Sequence, residues 1–133
     1  MKILLVSSKY PPEYSGSGNR IHNTYLRLKK KFGINFTVIT SSTIKFTNKK
    51  YNHESIDCHR ISKKINIESK YLKKIFNKLS FWAEFINFLY IYLQIKRIDA
   101  IHVVGKNNIT TSAIIISKIL KKPLIVELVN YSI

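Results

Sequence analysis

One cysteine, three prolines, four glycines and seven acidic residues are all that this 133-residue chain has of those types. A lone Cys58 cannot close an internal disulfide. With no secretory leader pattern at the N-terminus, a reducing, cytoplasmic setting is expected. Few glycines and prolines exclude collagen-like and low-complexity chains, and no internal repeat is present. Long hydrophobic runs are missing too. The richest apolar stretch, Phe81 to Leu93, is interrupted by Glu84 and Asn87 and falls short of the about 20 residues needed to span a bilayer. Against the seven carboxylates stand 23 Lys+Arg, a formal net charge of +16. Such a field favours anionic partners, whether phosphates, an acidic membrane surface or nucleic acid. The plain alternative is that many lysines only fill solvated positions.

Hydrophobic residues make up 45% of the chain, enough for one ordinary domain over residues 1–133 with a real core. Residues 2–7 read as a buried strand, because an unbroken Ile/Leu/Val run suits the centre of a parallel sheet. A polar segment with Pro11 and Pro12 follows, then Ile21, Tyr25, Leu28 and Phe32 at helical spacing. Lys29, Lys30 and Lys31 occupy the last turn of that helix, and Gly33 is its C-cap. Further strands are expected at 36–40, 57–61, 100–104 and 123–129, with helices over about 67–97 and 107–120. The segment 41–55 has no periodicity and reads as a loop. Strands alternating with helices imply a Rossmann-like, doubly wound parallel α/β sheet of about five strands, with helices on both faces.

Gly16-Ser17-Gly18-Asn19-Arg20 lies between the first strand and helix, where backbone amides and the helix dipole can hold a phosphate or sugar oxygen. A dinucleotide-binding loop is the obvious rival. It would need a third glycine where Ile21 stands, a tighter turn, and an acidic residue after the second strand, which instead ends Thr40-Ser41-Ser42. A plain structural turn is the other alternative. His53, Cys58 and His59 have no second Cys/His pair at zinc spacing, so no metal is expected. His22, beside the glycine segment, reads as a ligand contact or a solvated surface residue. His102, inside a strand, reads as a core histidine with a satisfied hydrogen bond. Only Glu13 and Glu127 fall near the C-terminal ends of strands, where such sheets bind ligands. No Ser/His/Asp or Cys/His arrangement can be argued from spacing.

The long helix carries two apolar stripes. Ile75, Leu79, Ile86, Tyr90 and Leu93 form the expected core face. Opposite them lie Lys70, Lys74 and Lys78, leading into Phe81, Phe85, Phe88 and Tyr92, a face that needs a cover. An anionic membrane surface, a partner domain and more of the protein's own core are the candidates. The docking set would be Lys70, Lys74, Lys78, Phe81, Phe85 and Phe88.

Taken in order, Met1-Lys2-Ile3-Leu4-Leu5-Val6-Ser7-Ser8, Tyr10-Pro11-Pro12 and Gly16-Ser17-Gly18-Asn19-Arg20 resemble the start of GT-B glycosyltransferases with the subfamily-4-like N-terminal domain. Phe36-Thr37-Val38-Ile39-Thr40, Asp99-Ala100-Ile101-His102-Val103-Val104-Gly105 and Lys122-Pro123-Leu124-Ile125-Val126 resemble later segments of the same domain. Ser17 separates the family's glycine pair. Val104 replaces the second histidine of an Asp-x-x-His-x-His-Gly segment, and Val129 stands where many members have a histidine.

The resemblance implies a retaining transfer of a sugar from a nucleotide-sugar donor to a glycan or lipid-linked acceptor, as in cell-envelope polysaccharide synthesis. The acceptor would bind this domain, and the donor a second domain absent from these residues, so the chain alone is expected to be inactive. No metal or other cofactor is implied. The substrate-binding residues would be Gly16, Ser17, Gly18, Asn19, His102, Glu127 and Asn130, with the catalytic residues unassigned. Gly→Val at Gly16 or Gly18 is expected to harm transfer more than folding. The competing expectation is a non-enzymatic basic module that docks on an anionic membrane, peripherally at its inner face. Nucleic acid is the less expected partner.

Overall fold

The computed structural model describes residues 1–42, 50–62, 70–94, 97–105 and 108–129. Among the described residues six strands and three helices follow in the order β1 (Lys2–Ser7), α1 (Gly16–Phe32), β2 (Asn35–Ser42), β3 (Lys50–His53), β4 (Ile56–Ser62), α2 (Lys70–Gln94), β5 (Ala100–Val104), α3 (Asn108–Ile119) and β6 (Leu124–Glu127). They form one sheet in the order β3-β4-β2-β1-β5-β6. All pairings are parallel except β3 with β4. The expected doubly wound α/β architecture is thus present, with one strand more than the sequence indicated.

The central position of β1 explains its composition. Ile3 and Leu5 pack with Ile21 and Tyr25 of α1 on one face. Leu4 and Val6 pack with Phe88, Ile91, Ala113 and Ile116 on the other. A strand covered on both sides cannot alternate with polar residues, so it reads as a continuous apolar run. Its start is held by Asp99, whose carboxylate accepts from the Lys2 amide at 2.6 Å.

Helix α1 begins where the glycine segment was expected to be a loop. Ser15 is the N-cap, its Oγ accepting from the Gly18 amide at 3.1 Å. Gly16, Ser17 and Gly18 are therefore the first turn of the helix. Gly33 closes it at φ 65°, with its amide donating to the Lys29 carbonyl, the left-handed C-cap that glycine favours.

Two expectations are corrected. Strand β3, Lys50-Tyr51-Asn52-His53, lies inside the segment expected to be a loop. It is a polar edge strand whose turn, Glu54-Ser55, has positive φ at both residues without a glycine to announce it. On α2 the two stripes exchange roles over the described side chains. Phe88, expected to dock outward, is 1% exposed and packs in the core beside Ile91. Ile75, Ile86, Tyr90 and Leu93, expected to be core, are exposed. Both sides of this helix are apolar, so periodicity could not decide which one meets the sheet. Lys70 is exposed, while the side chains of Lys74, Lys78, Phe81 and Phe85 lie outside the described residues. Among the described residues no helix is long and apolar enough to cross a membrane.

Candidate functional site

A doubly wound sheet opens a crevice where the chain's direction of winding reverses, at the C-terminal ends of the strands. Here that point lies between β1 and β5. The Ser8 amide donates to the Val104 carbonyl at 3.4 Å, and the Gly105 amide to the Glu127 carbonyl at 3.1 Å. These bonds tie the ends of β1, β5 and β6 together. Gly105 has φ 125°, and a Cβ there would lie 3.0 Å from Ser8 Oγ. Any other residue would be strained and would crowd the loop after β1.

A polar chain lines this edge. Arg20, on the second turn of α1, is ion-paired with Glu127 at the end of β6. The second Glu127 oxygen lies 3.6 Å from His102 Nε2, and His102 Nδ1 is 2.8 Å from the Tyr25 hydroxyl. Burial pushes the Tyr25 phenol up to about 12, helped by the Glu127 charge. Tyr25 therefore keeps its proton and donates to Nδ1, which leaves the Nε2 proton facing Glu127. Burial likewise pushes His102 below its ordinary value. The Glu127 carboxylate opposes that shift, and the Arg20 guanidinium adds to it. A neutral imidazole, a phenol, a guanidinium and a carboxylate thus share one edge. Together they offer donors and acceptors of the kind that bind sugar hydroxyls.

The lowered His102 value has a pH consequence. Below the ordinary value of 6.5, the unfolded chain takes up a proton that the folded chain resists. Stability present at neutral pH is therefore lost as pH falls from 6.5 down through the folded value. Melting temperatures from about pH 8 to about pH 5 should show this loss for the wild type and a smaller one for His102→Gln. An equal loss in both would place the acid sensitivity elsewhere, with His59 first in line because burial lowers it too.

The structure thus places Gly16 and Ser17 at the N-terminus of α1, Glu127 at the C-terminal end of β6, and His102 in the middle of β5. Asn19 is exposed on the first turns of α1, its amide donating to the Ser15 carbonyl at 2.9 Å. Gly18 is buried, and a Cβ on it would meet the Lys9 carbonyl oxygen at 2.7 Å, whereas nothing lies within 4 Å of one on Gly16. Gly18 therefore serves packing, and Gly16 stands open. Asn130 lies outside the described residues. Sequence reasoning missed Arg20 and Tyr25 as members of this group. The signal available was a cation and a hydroxyl on the helix whose N-terminus faces the crevice. Glu13, expected near a strand end, sits in the loop after β1. Its Oε2 is buried without a hydrogen-bond partner among the described residues.

On its other flank α1 carries His22, which is not a surface residue. It is 3% exposed, with Nδ1 at 2.5 Å from the Tyr10 hydroxyl and Nε2 at 3.0 Å from Glu54 Oε2. The His53 ring stands 4.9 Å from the His22 ring. Burial raises the Tyr10 phenol far above its ordinary value, and the His22 hydrogen bond lowers Glu54. His53 therefore groups with His22 and Glu54 rather than with Cys58 and His59. Cys58 is buried in the core, its thiol pushed up to about 11 by burial.

A cavity of about 450 Å³ lies away from the crevice, lined by Lys2, Thr37, Tyr51, Asp57, His59 and Gln94 among others. It does not touch the Arg20–Glu127 group, and volume alone gives it no chemistry.

No family model matches the chain, and no curated protein is significantly similar to it.

Proposed function

We propose that the chain is the acceptor-side, Rossmann-like domain of a GT-B glycosyltransferase. It would bind a glycan or lipid-linked acceptor at the β1/β5 crevice while a second domain supplies the nucleotide sugar. The observation that carries the reading is the group Arg20, Glu127, His102 and Tyr25, gathered beside the N-terminus of α1 at the switch point of the sheet. Side-chain donors and acceptors there suit sugar hydroxyls, and the Gly16 and Ser17 amides at the positive end of the helix suit a phosphate. The resemblance of the sequence in the same segments supports it. So does the apolar edge at β6, where Ile125, Val126 and Leu128 are exposed and a neighbouring body would cover them. A nucleotide-binding Rossmann protein is less well supported, because β2 ends in Thr40, Ser41 and Ser42 with no carboxylate for a ribose.

Amide correlation spectra of the chain, titrated with a sugar phosphate and with short glycans, test the reading. Shifts are expected at Gly16, Ser17, Arg20, His102 and Glu127, and labelled nucleotide sugars should show no turnover with this chain alone. Shifts spread over the lysine-rich surface, or sustained transfer by the chain by itself, would overturn it.

A second reading, peripheral docking on an anionic membrane, is favoured by one observation. Exposed Ile75, Ile86, Tyr90 and Leu93 form an apolar stripe along α2, on a chain of formal charge +16. An exposed apolar stripe on a helix of a strongly basic chain is what an interfacial helix uses. The two readings are compatible, since a lipid-linked acceptor is presented at a membrane.

A further inference from the structure

We propose that His22, His53 and Glu54 form a site for a divalent transition metal, zinc above all, that fastens the β3–β4 turn to α1. One ligand atom from each of the three lies within 4.8 Å of the others. Two imidazoles and a carboxylate are a ligand set that zinc accepts, with water completing the tetrahedron. The distances need only a modest closure. His22 Nε2 and Glu54 Oε2 are already 3.0 Å apart, and the Glu54 side chain is 59% exposed, so it can swing.

Three features set this group apart from a chance surface cluster. First, the His22 ring is locked. It is buried on α1, and its Nδ1 lies 2.5 Å from the hydroxyl of fully buried Tyr10. Without metal, Nε2–H donates to Glu54. On metal binding that proton would leave, Nδ1–H would donate to the Tyr10 oxygen, and the Nε2 lone pair would face the ion in the orientation its outer partner fixes. Second, the turn that presents Glu54 is held against propensity. Glu54 and Ser55 have φ 48° and 64°, a pair of left-handed residues that hairpins usually fill with Asn-Gly. Strain of that kind persists where surrounding contacts over-determine it. Third, a Tyr–His–Glu hydrogen-bond chain has no use for a second imidazole, yet His53 places its ring 4.9 Å from His22 at a 59° tilt. The net positive charge of the chain repels loosely held cations, so only inner-sphere ligation would retain one.

Co(II) and Zn(II) titrations of the untagged full chain test the site, with absorption spectra and melting temperature as readouts. The wild type should develop the visible bands of four-coordinate cobalt at one equivalent, and zinc should raise its melting temperature. His53→Ala removes a ligand but keeps the Tyr10–His22–Glu54 hydrogen bonds. It should melt like the wild type without metal and bind about ten-fold or more weakly, losing the zinc-induced shift. Tyr10→Phe should weaken binding as well, while His59→Ala should not. Equal zinc binding by the wild type and His53→Ala, or only six-coordinate cobalt spectra throughout, would overturn the proposal and leave the trio as a hydrogen-bonded pin. Neither outcome bears on the crevice reading, which uses none of these three residues.

Discussion

Gly18→Val is expected to lower the melting temperature by roughly 5 °C or more, while Gly16→Val leaves it within about 2 °C. The sequence treats the two glycines as equivalent ends of one ligand loop, and on that view either substitution should spare the fold. Their surroundings say otherwise. A Cβ at Gly18 would stand 2.7 Å from the Lys9 carbonyl oxygen and 3.3 Å from its carbon. Both atoms belong to backbone that cannot rotate away, so the loop after β1 must shift. The Gly18 amide is also the one that Ser15 Oγ caps, and displacing it loosens the start of α1. Overpacking of this kind costs about 1–3 kcal/mol. At Gly16 there is open space, and the residue is exposed in the first helical turn. Thermal melts of the two variants decide the matter. Equal melting temperatures would mean that the loop after β1 yields freely and that Gly18 is not a packing position. Lost ligand binding in Gly16→Val, with the melt unchanged, would then report on the crevice itself.

Phe88→Ala should be the most damaging single truncation on α2, costing about 3–5 kcal/mol, a large part of the about 5–15 kcal/mol that holds a domain together. Phe88 is 1% exposed and packs with Leu4, Val6, Ile91 and Ile98. Removing its ring leaves a void in the core between α2 and that face of the sheet. Ile86→Ala, two residues away and 62% exposed, should move stability by less than about 0.5 kcal/mol. Urea unfolding of both variants measures this, with an unchanged slope required for the midpoints to be compared. A costly Ile86 and a tolerant Phe88 would mean that α2 turns its other face to the sheet. The same exposed stripe offers the membrane test. Ile86→Asp with Tyr90→Asp should retain the fold and lose binding to anionic liposomes, whereas unaltered liposome binding would remove α2 from the docking surface.

Much of the architecture was legible because burial on both faces leaves a direct mark. The run Ile3 to Val6 needed no context to read as a central parallel strand, the segment 100–104 read as a further strand, and Gly33 after three lysines marked the end of α1. Strand β3 was not legible. Its residues are polar apart from Tyr51, it pairs on one side only, and its turn lacks the glycine that announces a hairpin. The site divides in the same way. His102 with a satisfied hydrogen bond followed from a polar residue inside an apolar strand, although its partner, Tyr25, is 77 positions away. Arg20 and Glu127 meet across 107 residues, a distance no local pattern spans.

By itself the sequence determined the alternation of strands and helices, the central place of β1, the C-terminal end of α1 and the strongly basic character of the chain. These follow from local propensity, periodicity and composition, which are properties of neighbouring residues. Tertiary structure alone decided which face of α2 is buried, that Gly18 packs while Gly16 stands open, and that His22 joins His53 and Glu54 instead of facing solvent. Each of those outcomes depends on which distant backbone or side chain comes to lie alongside, and the parallel crossovers of the sheet set that.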